Sequence, residues 1–159
     1  MAAETTRYNV LQAAVAAVRT KVDGTGKYWN NLNTDQVTTK VETTEDRTVK
    51  GYALWIGVYI AAETPDTVEI TQRQWMRHLG IEVLVITVDD GTETTHERAV
   101  GDVVNAMLED GDLNGTCDKI HLETVDAPAV GVGNDSDRPE TMTVLTFLVE
   151  YEHQAGTSY

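Results

Sequence analysis

One cysteine, Cys117, stands in a chain of 159 residues. No internal disulfide can form, no zinc site can be built on paired cysteines, and an unpaired buried thiol is the expected state. Lysine and arginine are also scarce, 12 against 26 aspartates and glutamates, for a formal charge of −14. A protein that grips nucleic acid through phosphates needs clustered basic residues. The nearest approach is Arg73, Arg77 and His78, too sparse for a footprint. Aromatics make up 6% of the chain, which argues against a platform for stacking sugars or bases. No apolar run approaches the ~20 residues of a membrane span. The N-terminus lacks the basic start, apolar stretch and cleavage site of a secretory signal. The expectation is a product made in the cytoplasm with no membrane partner.

Reactive constellations are missing too. The serines, Ser136 and Ser158, fall outside any expected element, and no Gly-x-Ser-x-Gly elbow occurs. His78, His96, His121 and His153 are scattered without His-x-x-x-His spacing. Gly24-Thr25-Gly26-Lys27 has Lys21 where a phosphate loop needs its first glycine, and Tyr28 where Ser or Thr would hold magnesium. Gly131-Val132-Gly133 lacks a third glycine and opens an acidic stretch, not a helix. Carboxylates are so abundant that no pair stands out as an acid/base couple. Neither an enzyme nor a cofactor is expected.

What is present is a core and a surface. Hydrophobic residues form 41% of the chain, ordinary for one globular domain of this length. The acidic surface would repel a DNA backbone and let it slide past without binding. Adaptation to a high-salt cytoplasm is an alternative source of the same charge.

Along the chain, Leu11, Ala14, Val15, Val18 and Val22 share one face of a helix that Gly24 ends. Its other face is lined by Ala13, Ala16 and Ala17, which allows close approach of a neighbour. Residues 24–36 read as loop, with Tyr28 and Trp29 tucking it down. Residues 37–44 alternate weakly, as a marginal strand, and residues 53–62 more strongly. Glu63-Thr64-Pro65-Asp66-Thr67 reads as a turn or protruding loop. Residues 68–89 read as one extended stretch with a bulge or bend at Gly80. Within it Ile81, Val83, Val85 and Thr87 face one way and Leu84, Ile86 and Val88 the other, the mark of a central strand. A second helix starts at a Thr94/Glu97 capping box, buries Val100, Val103, Val104, Met107 and Leu108, and stops at Gly111. Residues 126–140 read as an acidic loop. A closing strand follows with Thr143, Leu145, Phe147, Val149 and Tyr151 on one face, and residues 153–159 form a tail. The fold class expected is α+β, a mostly antiparallel sheet with two helices packed on one face in a single domain.

Asp110-Gly111-Asp112-Leu113-Asn114-Gly115 imitates the opening of an EF-hand loop, offering Asp110, Asp112 and Asn114 as oxygen ligands. The twelfth position is His121 instead of glutamate, and Glu123 arrives two residues late. Residues 119–125 alternate like a strand, where an EF-hand requires a helix. The segment therefore reads as an Asx/Gly turn and not as a metal site.

The order of pieces resembles the tail terminator, or tail-completion, proteins of long-tailed phages and related viruses, the group that includes the terminator of phage lambda. An Ala/Val helix at 11–22 precedes long strands. A later helix at 100–108 leads through Asp112-Leu113-Asn114-Gly115 into a strand at 120–125. The chain then closes on Leu145-Thr146-Phe147-Leu148-Val149-Glu150-Tyr151. The resemblance covers most of the chain as a pattern of elements, without invariant residues. It implies a homohexameric ring at the head-proximal end of a virion tail. Such a ring caps the tube of tail tube protein, ends its polymerisation and meets the head-to-tail connector protein, with genome DNA passing through its lumen unbound. Function would then lie in surfaces: Tyr52, Trp55 and Tyr59 at a subunit contact or in the core, Glu63, Asp66, Asp135 and Asp137 on loops facing the lumen or a partner. Two alternatives stay open: another head-closure adaptor, or a non-viral α+β ligand-binding domain.

Overall fold

The fold is a computed structural model that describes residues 6–39, 50–71, 74–88, 93–132 and 139–154. Its centre is set by alternation. β3 (Gln74–Val88) buries Leu79, Ile81, Val83 and Val85, and its neighbour β6 (Pro139–Gln154) buries Thr143, Leu145, Phe147, Val149 and Tyr151. A side-chain period of two places each set on one face of the sheet. Against that face lie α1 (Thr6–Lys21), through Val10, Ala14, Val15 and Val18, and α2 (Glu93–Leu108), through Ala99, Val100, Val103, Ala106 and Met107. Each large side chain buried here contributes ~1.5–3 kcal/mol, so this shared layer is what holds sheet and helices together.

The remaining strands are β1 (Val37–Thr38), β2 (Leu54–Thr71), β4 (Lys119–Val125) and β5 (Ala129–Val132). The order is β1-β2-β3-β6-β4, with β5 pairing the start of β6 beyond the end of β4. Among the described strands only the β1–β2 pairing is parallel. Among the described residues this is a mixed, mostly antiparallel six-stranded sheet with two helices, an α+β fold as expected.

Several local expectations are corrected. The backbone of residues 63–66 is not a loop: it lies inside β2, where Glu63 pairs Leu79, Thr64 pairs His78 and Pro65 pairs Arg77. Residues 68–89 are not one stretch, because β2 ends at Thr71 and β3 begins at Gln74, making an antiparallel hairpin. The bulge expected at Gly80 sits opposite it. Ile60 pairs Ile81 and Ala62 pairs Gly80, so Ala61 is the extra residue. A Cβ on Gly80 would stand 3.3 Å from the Ala62 carbonyl oxygen, which explains the glycine. Residues 126–140 contain β5 and the first residues of β6, so the acidic segment includes a short paired strand. Thr94 lies within the first turn of α2 and is not its N-cap. Trp29 is 68% exposed, whereas Tyr28 is buried. His153 and Gln154 belong to β6 in backbone terms, so the tail begins later than residue 153. Of the marginal strand at 37–44, residues 40–44 lie outside the described residues.

Candidate interaction surface

Among the described residues, the buried polar side chains Gln36, Thr87, His96, Asp102 and Thr143 each make internal hydrogen bonds. His96, 3% exposed on α2, reaches Thr87 of β3 from Nδ1 at 2.9 Å and Thr143 of β6 from Nε2 at 2.8 Å. It pins the helix to two strands, and burial holds its pKa below the usual imidazole value. Asp102, 2% exposed, accepts the Trp29 N–H at 3.1 Å on both oxygens and the Asn30 N–H at 2.8 Å. The loop after α1 is thereby fixed to α2. Gln36 accepts the Asn33 N–H and donates to the Leu54 carbonyl, tying a 3-10 turn (Thr34–Gln36) to β2. Asp102 lies at the wall of an open groove along α2, but both of its oxygens are taken up by the Trp29 and Asn30 donors. Burial, with Asp112 and Asp118 nearby, pushes the Cys117 thiol up to about 11, so it stays protonated at neutral pH.

The acidic turn after α2 has a structural role. Asp110 pairs with Lys21, while Glu109 accepts Lys27 at 2.6 Å and the Tyr28 hydroxyl at 2.7 Å. Those contacts, Lys27 first, hold the Glu109 carboxyl below its usual range. They also offset two carboxylates at the end of α2 where the helix dipole disfavours negative charge. Leu113, Asn114 and Gly115 are consecutively left-handed, at φ 50°, 59° and 76°, and the Asp112 carbonyl accepts the N–H groups of Thr116 and Cys117. Leu113, 2% exposed, plugs this turn into the core. Among the described residues no group of three or more His, Cys, Asp or Glu side chains converges as metal ligands do.

Tyr52, Trp55 and Tyr59 lie on the sheet face away from the helices. Trp55 is 2% exposed, packed edge-on against half-buried Tyr52 at 5.4 Å, with the Lys50 ammonium 5.3 Å above its ring. Tyr59 folds back over Gly57, where a Cβ would lie 2.7 Å from its Cζ. Half-buried Leu84, Val144 and Leu148 continue this face, and Met142 is 40% exposed. Trp55 is thus internal, and Tyr52 and Tyr59 form a half-open rim around it.

A second surface is an arm. At Glu63 the carboxylate takes the Tyr151 hydroxyl and pairs with Arg7 at 3.1 Å, beside the start of α1. Beyond that row, β2, β3 and β6 run on together to Thr71, Gln74 and Gln154. An 18-residue strand spans ~60 Å, whereas a 16-residue helix spans ~24 Å, so three strands outrun the helical layer. Asp66 belongs to this arm by its backbone, while Asp135 and Asp137 lie outside the described residues. Among the described residues the sheet edges are open as well. β1 covers only Ile56 and Gly57 of β2, and at the far edge Val125 and Val130 are 50% and 73% exposed.

His96 and Asp102 were the residues that sequence reasoning passed over. Their signal was position: with Ala99, Val103 and Ala106 they fall on the apolar stripe of α2, where a polar side chain needs a partner across the interface. Compared with known proteins, the chain matches no family model and no curated protein.

Proposed function

We propose that this chain is a structural virion protein of the tail-terminator kind, a subunit of a ring that caps a tail tube, stops its growth and joins it to the head connector. The observation that carries the reading is the three-stranded arm beyond the helices. A ring subunit needs a rigid body to pack beside its neighbours and an element that reaches along the axis. Here the body is the two-helix layer on the sheet, and the arm is the continuation of β2, β3 and β6. Open strand edges and the rim at Tyr52 and Tyr59 offer surfaces for lateral contact. The charge of −14 suits a lumen through which DNA moves without adhering.

The test is assembly. Purified protein is mixed with the tail tube protein of the same genome, and tube length is followed by electron microscopy. Capped tubes of limited length with a ring at one end are expected. Tubes that grow unchanged, with no ring at either end, overturn the reading. Recovery of the chain on the portal side alone would move it to the head-closure adaptors.

A further inference from the structure

Trp29 is 68% exposed, unusual for the largest apolar side chain, yet its backbone is fixed by both Asp102 oxygens. The Arg98 guanidinium stacks on the ring at 4.2 Å. An aromatic held on a rigid base loses little freedom when a partner covers it, the property of an interface anchor. Beside it runs an open groove along α2, lined by Thr94, Glu97, Arg98, Gly101 and Asn105. Gly101 forms the notch in this groove. It sits in mid-helix, and apart from its chain neighbours and the backbone of α2 itself no described atom lies within 4 Å of where its Cβ would be. Glycine in a helix interior is destabilising relative to alanine, and no internal packing here calls for it. What the missing side chain provides is room for something outside the fold to approach the helix backbone.

Charge selects the occupant. Several of the few cations are used internally: Arg7 on Glu63, Lys21 on Asp110 and Lys27 on Glu109. The exposed charges of the groove are Glu97 and Arg98, with the buried Asp102 carboxylate beneath them, within a chain of −14. An acidic segment would be repelled, whereas a lysine or arginine stem can lie along an indole with its charge at a carboxylate. We infer that this groove docks a basic, extended segment of a partner protein, with a cationic side chain crossing the Gly101 notch beside the Trp29–Arg98 stack and its charge at Glu97. The inference stands apart from the ring reading and fails or survives separately.

The experiment is titration calorimetry at low ionic strength with a synthetic Arg-Gly repeat peptide, and with the same peptide carrying Glu for Arg. The wild-type chain should bind the basic peptide and ignore the acidic one. Trp29→Ala and Gly101→Gln should each weaken binding at least tenfold, and Glu97→Gln severalfold. Glu82→Gln, an exposed carboxylate on the sheet face away from the helices, should leave it unchanged. Circular dichroism confirms that each variant folds, which the exposure of all four positions favours. The inference is overturned by absence of binding to the wild type, by wild-type affinity in Trp29→Ala, or by equal losses in Glu82→Gln and Glu97→Gln. The last outcome would mean bulk charge attraction without a site.

Discussion

The Asp102 carboxylate holds Asn30 twice, through its backbone N–H at 2.8 Å and its side-chain amide at 2.7 Å. Adding the Trp29 N–H, one buried side chain of α2 satisfies three donors of the loop after α1. Asp102→Ala leaves those donors unpaired beside a small cavity. Hydrogen bonds to a charged group and the penalty for orphaned donors put the loss at about 3 kcal/mol. The thermal midpoint should fall by roughly 10 °C for a domain of this size. Asn105→Ala, exposed three residues further along α2, should change stability by no more than about 0.5 kcal/mol. Urea unfolding of both variants checks the contrast.

Acid should destabilise the fold in two separate windows. His96 has a folded pKa below its unfolded value because burial disfavours the imidazolium. The unfolded chain therefore binds the proton first, so stability is full above the ordinary value of about 6.5 and declines as pH falls below it. Glu109 works in a lower window. Lys27 and Tyr28 depress its pKa, so its contribution is present above the ordinary glutamate value of about 4.3 and is lost on further acidification. Urea midpoints between pH 7.5 and 5 should slope in the wild type and flatten in His96→Gln. A slope of the same size in both proteins would assign the first window to other groups.

Gly57 and Tyr59 should behave as a coupled pair. They sit two apart on the same face of β2, and the Tyr59 ring occupies the space of a Gly57 Cβ. Gly57→Ala must displace the ring from its seat over the strand, a strain of about 1–3 kcal/mol. With Tyr59→Ala already in place the same methyl meets nothing from that ring. A double-mutant cycle should give a coupling of at least about 0.5 kcal/mol, and additivity would show that the ring moves freely aside.

Much of this fold is legible in residue periodicity. The stripe at Ala14, Val15 and Val18 specifies α1, the alternation from Thr143 to Tyr151 specifies β6, and apolar residues on both faces mark β3 as central. Local punctuation misleads where pairing overrides it. Thr64-Pro65-Asp66 carries turn residues, but among the described residues no further strand pairs β2 on its outer side at Pro65, the position at which a sheet tolerates a missing N–H. The same holds for Val130 and Val132, whose Gly- and Asp-rich surroundings hide their pairing with Thr141 and Pro139. The polar pins are legible by half: their place on the apolar stripe of α2 calls for a partner without naming it. Asp102 answers backbone donors more than seventy residues away, and that separation leaves no local pattern. The surfaces are harder still, because exposure of Trp29 and the open space at Gly101 exist only once the chain has folded.

The turn at residues 110–115 gives a direct contrast between a connector and a cation loop. Asn114 is exposed and left-handed at φ 59°, between Leu113 and Gly115 in the same conformation. In a connector its side-chain oxygen is dispensable and its Cβ is a mild burden, since glycine adopts this backbone without penalty. Asn114→Gly should then be neutral or stabilising by up to about 1 kcal/mol. In a cation loop the same change deletes a ligand oxygen and must weaken any stabilisation by calcium. Thermal midpoints of wild type and variant, each with millimolar calcium and with chelator, separate the two. The expected result is no calcium-dependent shift in either protein and an equal or higher midpoint for the variant. A rise with calcium in the wild type that Asn114→Gly abolishes would make the turn a binding site, with Asp110 released from Lys21 to complete it.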